Sequence, residues 1–208
     1  MLRFQKSWGK HNVNGLLAYE FNDWEMKFTD VYATGFLSGF EDFTTTSKPA
    51  KANGYRQAWA KQSYFTQWRY NYDNRYFGEV SLRRDGRSNF GSNNRYGNFF
   101  SFSGAWNINN ESWLKAQWVD MLKLRASFGS VGNVPTSLYP SYSLYSVGAS
   151  YNEQSGALIS QIGNKDLTWE KTFTTGVGVD AAFFQNRLTA TLDFYVKNTS
   201  NILYQVPV

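Results

Sequence analysis

Few side chains in this 208-residue sequence could carry out catalysis. With 0 Cys and 1 His, the chain lacks the groups for thiolate nucleophiles, disulfides and His-rich zinc sites. A glycosidase needs two carboxyl groups roughly 5–10 Å apart. The carboxylates at polar positions are widely spaced in the sequence: Glu20, Glu79, Asp180 and Asp193. We therefore predict no enzyme activity, no metal site and no cofactor, and we expect His11 to be a solvated turn residue.

The most strongly charged stretch is residues 83–87. In one interpretation, Arg83, Arg84, Asp85 and Arg87 form a rim charge cluster that meets a substrate. In the other, which we favour, the same residues form an ion-pair network that ends a strand. Asp85 and Gly86 would then supply a turn.

Two long segments, residues 22–56 and 131–167, are rich in Tyr, Ser, Gly and Asn. Such side chains bind sugars or peptides by stacking and hydrogen bonding, and they could equally clamp a neighbouring protein. Because long loops commonly carry function, we predict binding residues there. The candidates are Trp24, Tyr32, Tyr139, Tyr142, Tyr145 and Asn152.

The elements that must position these residues are predicted to be strands, because apolar residues recur at every second position. In residues 188–197, for example, Leu188, Leu192 and Phe194 share one face while Thr191 and Asp193 share the other. This pattern predicts eight strands, at about 2–8, 12–21, 57–70, 75–86, 97–108, 121–130, 168–183 and 187–198. Several reach the roughly 9–11 residues that a tilted strand needs to cross a bilayer.

Short and long connections alternate strictly between these strands. The short ones are 9–12, 71–74, 109–120 and 184–186, and the long ones are 22–56, 87–96 and 131–167. Outer-membrane barrels show this alternation because their periplasmic turns are short and their external loops are long. Within 109–120 we expect one helical turn, capped by Asn110.

Aromatic residues concentrate near the predicted strand ends, as in the interfacial girdles of membrane barrels. Arg84 has the parity of Leu82, so we expect it on the lipid face at the outer interface, where a charge costs less than the roughly 2–4 kcal/mol of the midplane. The sequence thus predicts an all-β fold, an antiparallel transmembrane β-barrel segment of about eight strands. Because eight strands with short periplasmic turns place both termini outside the cell, we expect a slice of a larger barrel.

Four ordered blocks of the sequence resemble the C-terminal barrel region of the SusC/RagA family of TonB-dependent outer-membrane transporters. The densest block spans residues 70–114 and includes YDNRY at 72–76, SLRRDGRS at 81–88, NRYG at 94–97 and SFSGAW at 101–106. The others are residues 9–20, LKLRASFG at 122–129, and LTWEKT at 167–172 with the hairpin that follows. Tyr96 departs from the family, which often has Trp there, and so does Phe100, where Pro is common.

The resemblance implies that residues 1–208 are a partial TonB-dependent receptor β-barrel domain, about a third of a roughly 22-stranded plugged barrel. It places the chain in the outer membrane of a Gram-negative bacterium, in contact with lipid. It also implies import of oligosaccharides or peptides, with a SusD-like surface lipoprotein as partner and the TonB complex acting through a plug. No plug domain, TonB-pairing box or closing aromatic strand is recognisable in these 208 residues.

Two other functions stay open at this point. A complete eight-stranded outer-membrane barrel, acting as an adhesin or anchor, could close around a filled interior. The lack of a recognisable signal peptide and the external termini count against it. A soluble all-β module could bind carbohydrate or nucleic acid. Its basic residues, however, are dispersed over many strands instead of gathering in one groove, so we predict no nucleic-acid partner.

Overall fold

The computed structural model describes residues 1–40, 42–47, 51–114, 116–151 and 154–204, which form ten strands. In chain order these are β1 (Leu2–Trp8), β2 (His11–Tyr32), β3 (Lys51–Tyr72), β4 (Tyr76–Arg87), β5 (Tyr96–Asn107), β6 (Val119–Asn133), β7 (Leu144–Tyr151), β8 (Gln154–Gln161), β9 (Glu170–Phe183) and β10 (Leu188–Ser200). Eight of them make one antiparallel sheet in the order β1-β2-β3-β4-β5-β6-β9-β10. The eight predicted strands are confirmed. None of the helices in the described ranges is long and apolar enough to cross a membrane.

The strand register separates the sheet into two faces of opposite character. Leu82 lies opposite Thr66 and Phe100, whereas its neighbour Arg83 lies opposite Phe65 and Phe99. We call the Leu82 side the apolar face; it includes Leu17, Tyr19, Trp68, Val80, Leu82, Phe102, Phe128, Val177, Leu192 and Phe194. The side chains of this set are all exposed, because no other described part of the chain covers them. An exposed band of this size suits contact with lipid.

We call the Arg83 side the polar face. It includes Asn14, Glu20, Arg69, Glu79, Ser81, Ser103, Arg125, Ser127, Asp180, Asp193 and Lys197. In a membrane barrel, lipid-facing and lumen-facing side chains alternate along each strand. The polar face is therefore the lumen side of this sheet.

The second and third strands are much longer than predicted. Each has 22 residues, against 12 in β4. Residues 23–32 of β2 pair only with residues 51–60 of β3 in the described part of the chain. At roughly 3.3 Å per residue this projecting hairpin is roughly 30 Å long. The predicted loop 22–56 was wrong at both ends, because cross-strand pairs such as Trp24 with Trp59 continue the ladder.

The short connections lie at one end of the sheet, and side chains join them to one another. The Lys10 Nζ is 2.8 Å from Asp73 Oδ2, which links the β1–β2 turn to the β3–β4 turn. The backbone carbonyl of Asn74 accepts hydrogen bonds from the side-chain amides of Asn107 at 2.9 Å and Asn110 at 2.8 Å. These bonds attach the β5–β6 connection to the β3–β4 turn.

Two sequence predictions at this end were wrong. In place of a helical turn capped by Asn110, a 3-10 helix spans Ile108–Asn110, and Asn107 precedes it without a side-chain cap. The Asn110 side-chain amide instead donates a hydrogen bond to the backbone carbonyl of Asn74. His11 is not a solvated turn residue, since it begins β2, stacks on Trp8 and lies 2.7 Å from the Tyr70 hydroxyl through Nδ1.

The long connections lie at the opposite end, where they enclose a small aromatic core. Phe90 and Trp169 are 1% and 4% exposed, and their ring centroids are 4.4 Å apart. Phe99 completes this cluster edge-on to Trp169. The predicted loop 131–167 contains a feature that the sequence did not indicate, the separate two-stranded hairpin β7–β8.

The sheet is open. Within the described residues, β1 pairs only with β2, and β10 pairs only with β9. A complete eight-stranded barrel would need β1 and β10 to pair with each other. The alternative of a small closed barrel is therefore wrong.

Candidate functional site

The lumen side of the sheet is held by an arginine that bridges three strands. Arg125 on β6 binds Asp180 on β9 through two bonds of 2.7 and 2.9 Å, and its Nη2 lies 3.1 Å from Asp193 Oδ1 on β10. The guanidinium reaches β10 by passing over Gly178 of β9, where a Cβ would lie 2.4 Å from Asp193 Oδ1 and 3.0 Å from Arg125 Nη2. The absent side chain of Gly178 leaves the space for this bridge.

The two other predicted lumen carboxylates are also paired with cations. Glu79 accepts from Arg69 Nε at 2.7 Å, and Glu20 lies 3.3 Å from Lys61 Nζ. The four carboxylates singled out in the sequence thus each face a cation. This arrangement is what a polar, water-filled wall needs, because a paired charge in a partly hydrated site costs less than an isolated one.

A groove of about 750 Å³ runs along this wall between the bridging residues. Its lining combines charged and hydroxyl groups with a larger share of apolar surface from residues such as Phe77 and Tyr195; the polar members include Arg69, Glu79, Ser103, Arg125, Ser127 and Asp193. Such a surface offers hydrogen-bonding groups and apolar patches side by side along the lumen wall.

The predicted rim charge cluster divides between the two faces. Arg83 Nε is 2.7 Å from Asp85 Oδ2, and its Nη2 donates to Ser63 at 3.2 Å, all on the polar face. Arg84 lies on the apolar face, as its parity predicted, with its guanidinium 4.9 Å from the centre of the Tyr96 ring. The predicted turn at Asp85 was wrong, since β4 continues to Arg87 and Asp85 is paired with Ser63 in the ladder.

Arg87 has a different neighbour from the rest of the cluster. Its guanidinium stacks over Trp59 at 5.0 Å from the ring centre. Its Nε is buried without a hydrogen-bond partner among the described residues. Asn89, two residues further along, donates its amide to the Leu138 carbonyl at 3.0 Å. These contacts bring the β4–β5 and β6–β7 connections against the base of the projecting hairpin.

At the short-connection end, two carboxyl groups have pKa values below their usual range. A hydrogen bond from the Tyr76 hydroxyl, a second from the Trp106 indole N–H and the charge of Arg75 hold down the pKa of Glu111. The pKa of Asp73 is lowered by the hydrogen bond and charge of Lys10, with a contribution from Arg75. Both carboxyls therefore act as charged anchors for the turns.

The predicted binding residues do not gather at one point. Trp24 and Tyr32 lie on the projecting hairpin, within β2. The Tyr139 hydroxyl accepts a hydrogen bond from the Ala58 backbone N–H at 2.8 Å, and its ring contacts Tyr142 edge-on at 6.3 Å. Tyr145 is exposed on β7. Asn152 lies outside the described residues.

Sequence reasoning missed two aromatic residues on the same hairpin face as Trp24. Trp59 and Tyr55 lie on β3 and stack with Trp24 and Phe28, at 6.5 and 5.0 Å between ring centres. Trp59 falls near the start of the predicted strand 57–70 and Tyr55 near the end of the predicted loop 22–56, and neither position indicates its partner. Only the register of a hairpin continuing to Tyr32 places them together.

Comparison with known proteins gives the same family throughout. The family model described as TonB dependent receptor-like, beta-barrel matches residues 2–208. TonB-dependent receptor P39 of Formosa agariphila is 34% identical over 209 residues, which cover 96% of this chain and 20% of that protein. TonB-dependent receptor SusC of Bacteroides thetaiotaomicron is 32% identical over 157 residues, covering 70% of this chain and 15% of SusC.

A solved structure agrees in fold. The RagAB peptide transporter superposes with a TM-score of 0.88 at 30% identity, covering 99% of this chain and 24% of that one. The chain thus spans 20% and 15% of the lengths of these two curated relatives and about a quarter of the solved chain. Relatives and solved structure are named as receptors and transporters.

The two-faced open sheet and these matches confirm the SusC/RagA resemblance, and the family is one of outer-membrane barrels of Gram-negative bacteria. The chain belongs to the TonB-dependent receptor-like β-barrel family.

Proposed function

We propose that this chain forms part of the barrel wall and external loops of a TonB-dependent outer-membrane importer of the SusC/RagA type, which takes up oligosaccharides or peptides. The observation that carries the proposal is the lumen wall. Its carboxylates are paired with cations along a groove of about 750 Å³, while the opposite face is an exposed apolar band. A wall of this kind lets a polar solute pass and keeps lipid outside.

The proposal includes partners beyond this chain. A SusD-like surface lipoprotein would cover the external side, and the TonB complex would act on a plug domain encoded outside these 208 residues. Outer-membrane lipid would contact the apolar face. We assign no nucleic-acid partner, no cofactor and no enzymatic step, because the lumen charges form local pairs in place of a basic groove or a catalytic dyad.

The external end would carry the substrate contacts. We assign these to Trp24, Tyr32, Tyr142 and Tyr145, whose rings are exposed, with Asn152 as a further candidate. Tyr139 would act by positioning, since its hydroxyl is already bonded to the Ala58 N–H. Arg83 and Asp85 would brace the wall, as their mutual bond indicates.

Uptake by intact cells tests this proposal. A strain that lacks the full-length gene is compared with the wild type for uptake of fluorescently labelled peptides and neutral oligosaccharides, with and without functional TonB. We expect one substrate class to enter only when both the gene and TonB are present. Uptake that is unchanged by deletion of the gene, or that continues without TonB, would refute the importer assignment.

A further inference from the structure

The apolar face carries an arginine near its external end. Arg84 lies two residues beyond Leu82 on β4, opposite Tyr64 on β3 and Asn98 on β5. Its side chain is exposed, and β4 ends three residues later, where a long connection begins. Arg84 therefore lies where the exposed apolar band gives way to the external loops.

The neighbours of Arg84 have the composition of a membrane interface. Tyr19, Tyr64 and Tyr96 are exposed on the same face, and the rings of Tyr19 and Tyr64 contact each other at 5.2 Å between centres. Amphipathic rings of this kind lie at the level of the lipid headgroups. We therefore place the Arg84 guanidinium at the headgroup level of the outer leaflet.

The ring beside Arg84 is held in position. A Cβ at Gly86 would lie 2.5 Å from Tyr96 Cε1, so the Tyr96 ring occupies the space that a side chain at position 86 would need. The Tyr96 hydroxyl donates to Gln62 Oε1 at 3.4 Å, and the Gln62 amide donates to the Tyr64 hydroxyl. The guanidinium lies 4.9 Å from the centre of this ring. Such support lowers the entropy that is lost when a ligand orders the side chain.

The charge of Arg84 is left without a protein partner. In the part of the chain that the structure describes, Arg84 has the ring contact with Tyr96 but no ion pair and no side-chain hydrogen bond. The carboxylates of Glu20 and Asp85 are on the polar face, where they lie beside Lys61 and Arg83. The five N–H groups of the guanidinium are therefore available to an external anion.

A second cation occupies the external end of the same face. Lys171 on β9 has the parity of Val177 and lies two residues beyond Phe173. Among the described residues it likewise has no ion pair. Outside the projecting hairpin, the external half of the apolar face carries these two cations and, within the described ranges, no carboxylate. A headgroup that contacts this rim therefore meets positive charge alone, which selects an anionic one.

We propose that Arg84 binds a phosphate group of the outer-leaflet glycolipid, the lipopolysaccharide of a Gram-negative outer membrane; this rests on contact between the apolar face and lipid. The guanidinium fork fits a phosphate through two parallel hydrogen bonds. The exposed amide of Asn98, directly opposite, can donate to the same headgroup.

The position of Arg84 favours a lipid over free phosphate. Immediately next to it on the same face, toward the short connections, lie the exposed side chains of Leu82 and Phe102. A ligand that carries its phosphate above acyl chains satisfies the charge and covers this apolar surface at the same time. A free anion would satisfy the charge alone.

The test is native mass spectrometry of the purified full-length protein in detergent. It is titrated with lipid A that carries two phosphates, with dephosphorylated lipid A, and with inorganic phosphate. The variants are Arg84→Gln and Arg84→Lys, each first checked for folding by its compact mobility in gel electrophoresis. Lys197→Gln is the matched control, because the Lys197 Nζ also lies over a tyrosine ring, 5.2 Å from the Tyr195 centre, but on the polar face.

We expect the phosphorylated lipid A to bind more tightly than the dephosphorylated form. Arg84→Gln should raise its Kd roughly 5- to 20-fold, since each basic residue near a membrane surface contributes about that much to the attraction of an anionic headgroup. Arg84→Lys should lose part of the affinity, because it keeps the charge without the fork. Lys197→Gln should leave the Kd unchanged.

Several results would overturn the site. Equal Kd values for the two forms of lipid A, or for the wild type and Arg84→Gln, would show that phosphate is not recognised there. Inorganic phosphate that binds through Arg84 without tight binding of lipid A would assign the cation to a free anion. A lipid-free mass of two chains that is lost in Arg84→Gln would assign this face to a second copy. If Arg84→Gln does not fold, Arg84→Lys and the two forms of lipid A decide the question.

Discussion

Arg125 Nη2 on β6 lies 3.1 Å from Asp193 Oδ1 on β10, although β9 runs between their strands. The contact exists because β9 has Gly178 beneath it. A residue that joins next-nearest strands constrains the twist of three strands together, which a pair on adjacent strands does not do. The ion-pair bridge of the lumen wall thus depends on the absence of a side chain at Gly178 as well as on the charges of Arg125 and Asp193.

We expect Gly178→Ala to destabilise the barrel by about 1–3 kcal/mol, because the new methyl overlaps the bridge and the side chains must move apart. The measurement is the temperature at which the folded full-length protein loses its compact mobility in denaturing gel electrophoresis. Gly78→Ala is the matched control, since a Cβ there meets nothing within 4 Å. Equal shifts in both variants would contradict this account of Gly178.

Adjacent residues on β4 test the assignment of the two faces. Leu82→Arg places a charge near the middle of the apolar band and should cost about 2–4 kcal/mol, whereas Ser81→Arg faces the lumen and should assemble normally. Arg84→Leu should be close to neutral. The measurement is the amount of folded full-length protein in outer-membrane fractions. The face assignment fails if Ser81→Arg is the more damaging change.

The lowered pKa of Glu111 predicts that the folded protein becomes less stable as the pH falls. The folded state binds a proton on the Glu111 carboxyl less tightly than the unfolded state does. The stabilisation from the charged Glu111 is therefore complete above the ordinary carboxyl pKa of about 4, and it is lost as the pH falls through the lower pKa of the folded state. We expect the unfolding midpoint of the wild-type protein to fall more between pH 5 and pH 3 than that of Glu111→Gln. Parallel curves would show that Glu111 does not contribute.

The aromatic core under the long connections should hold them in place. Phe90→Ala removes a ring that is 1% exposed, and a core change of this type costs about 3–5 kcal/mol where the surroundings cannot relax. We expect new cleavage sites in residues 88–95 and 162–169 when intact cells are treated with protease. Phe40→Ala, at an exposed ring, serves as the control. Cleavage that is the same in both variants would argue against a common core.

Much of the sheet could be predicted because its two faces contact different solvents. A residue such as Leu192 contacts lipid and its neighbour Asp193 contacts water. Apolar and polar residues therefore alternate strictly along these strands, and the alternation is visible in the sequence. The projecting part of β2 and β3 has no lipid on either side. Its outward positions carry Glu25 and Lys27, and its lumen-side positions carry Trp24 and Phe28. The alternation therefore continues past residue 22 with the apolar and polar faces exchanged, which breaks the pattern that marks the lipid-spanning strands.

The candidate site was only partly predictable for a related reason. Trp24 was recognisable as an exposed aromatic residue, but its partner Trp59 is 35 positions away and is set by the hairpin register. The bridge of Arg125 to Asp193 likewise depends on which strands become neighbours, since β9 joins β6 across the β7–β8 hairpin. Pairings of this range have no local sequence signal.

The projecting hairpin also has a mechanical consequence. In the described part of the chain, this two-stranded arm of roughly 30 Å joins the rest of the sheet only at its base, so it has the geometry of a lever. A tilt of about 10° where β2 and β3 leave the sheet would displace the tip by roughly 5 Å. Contacts at Trp59 and Ala58, close to the pivot, therefore govern how far the distant Tyr32 can travel. A change of angle at the base would therefore move the tip of the hairpin much further than the base itself.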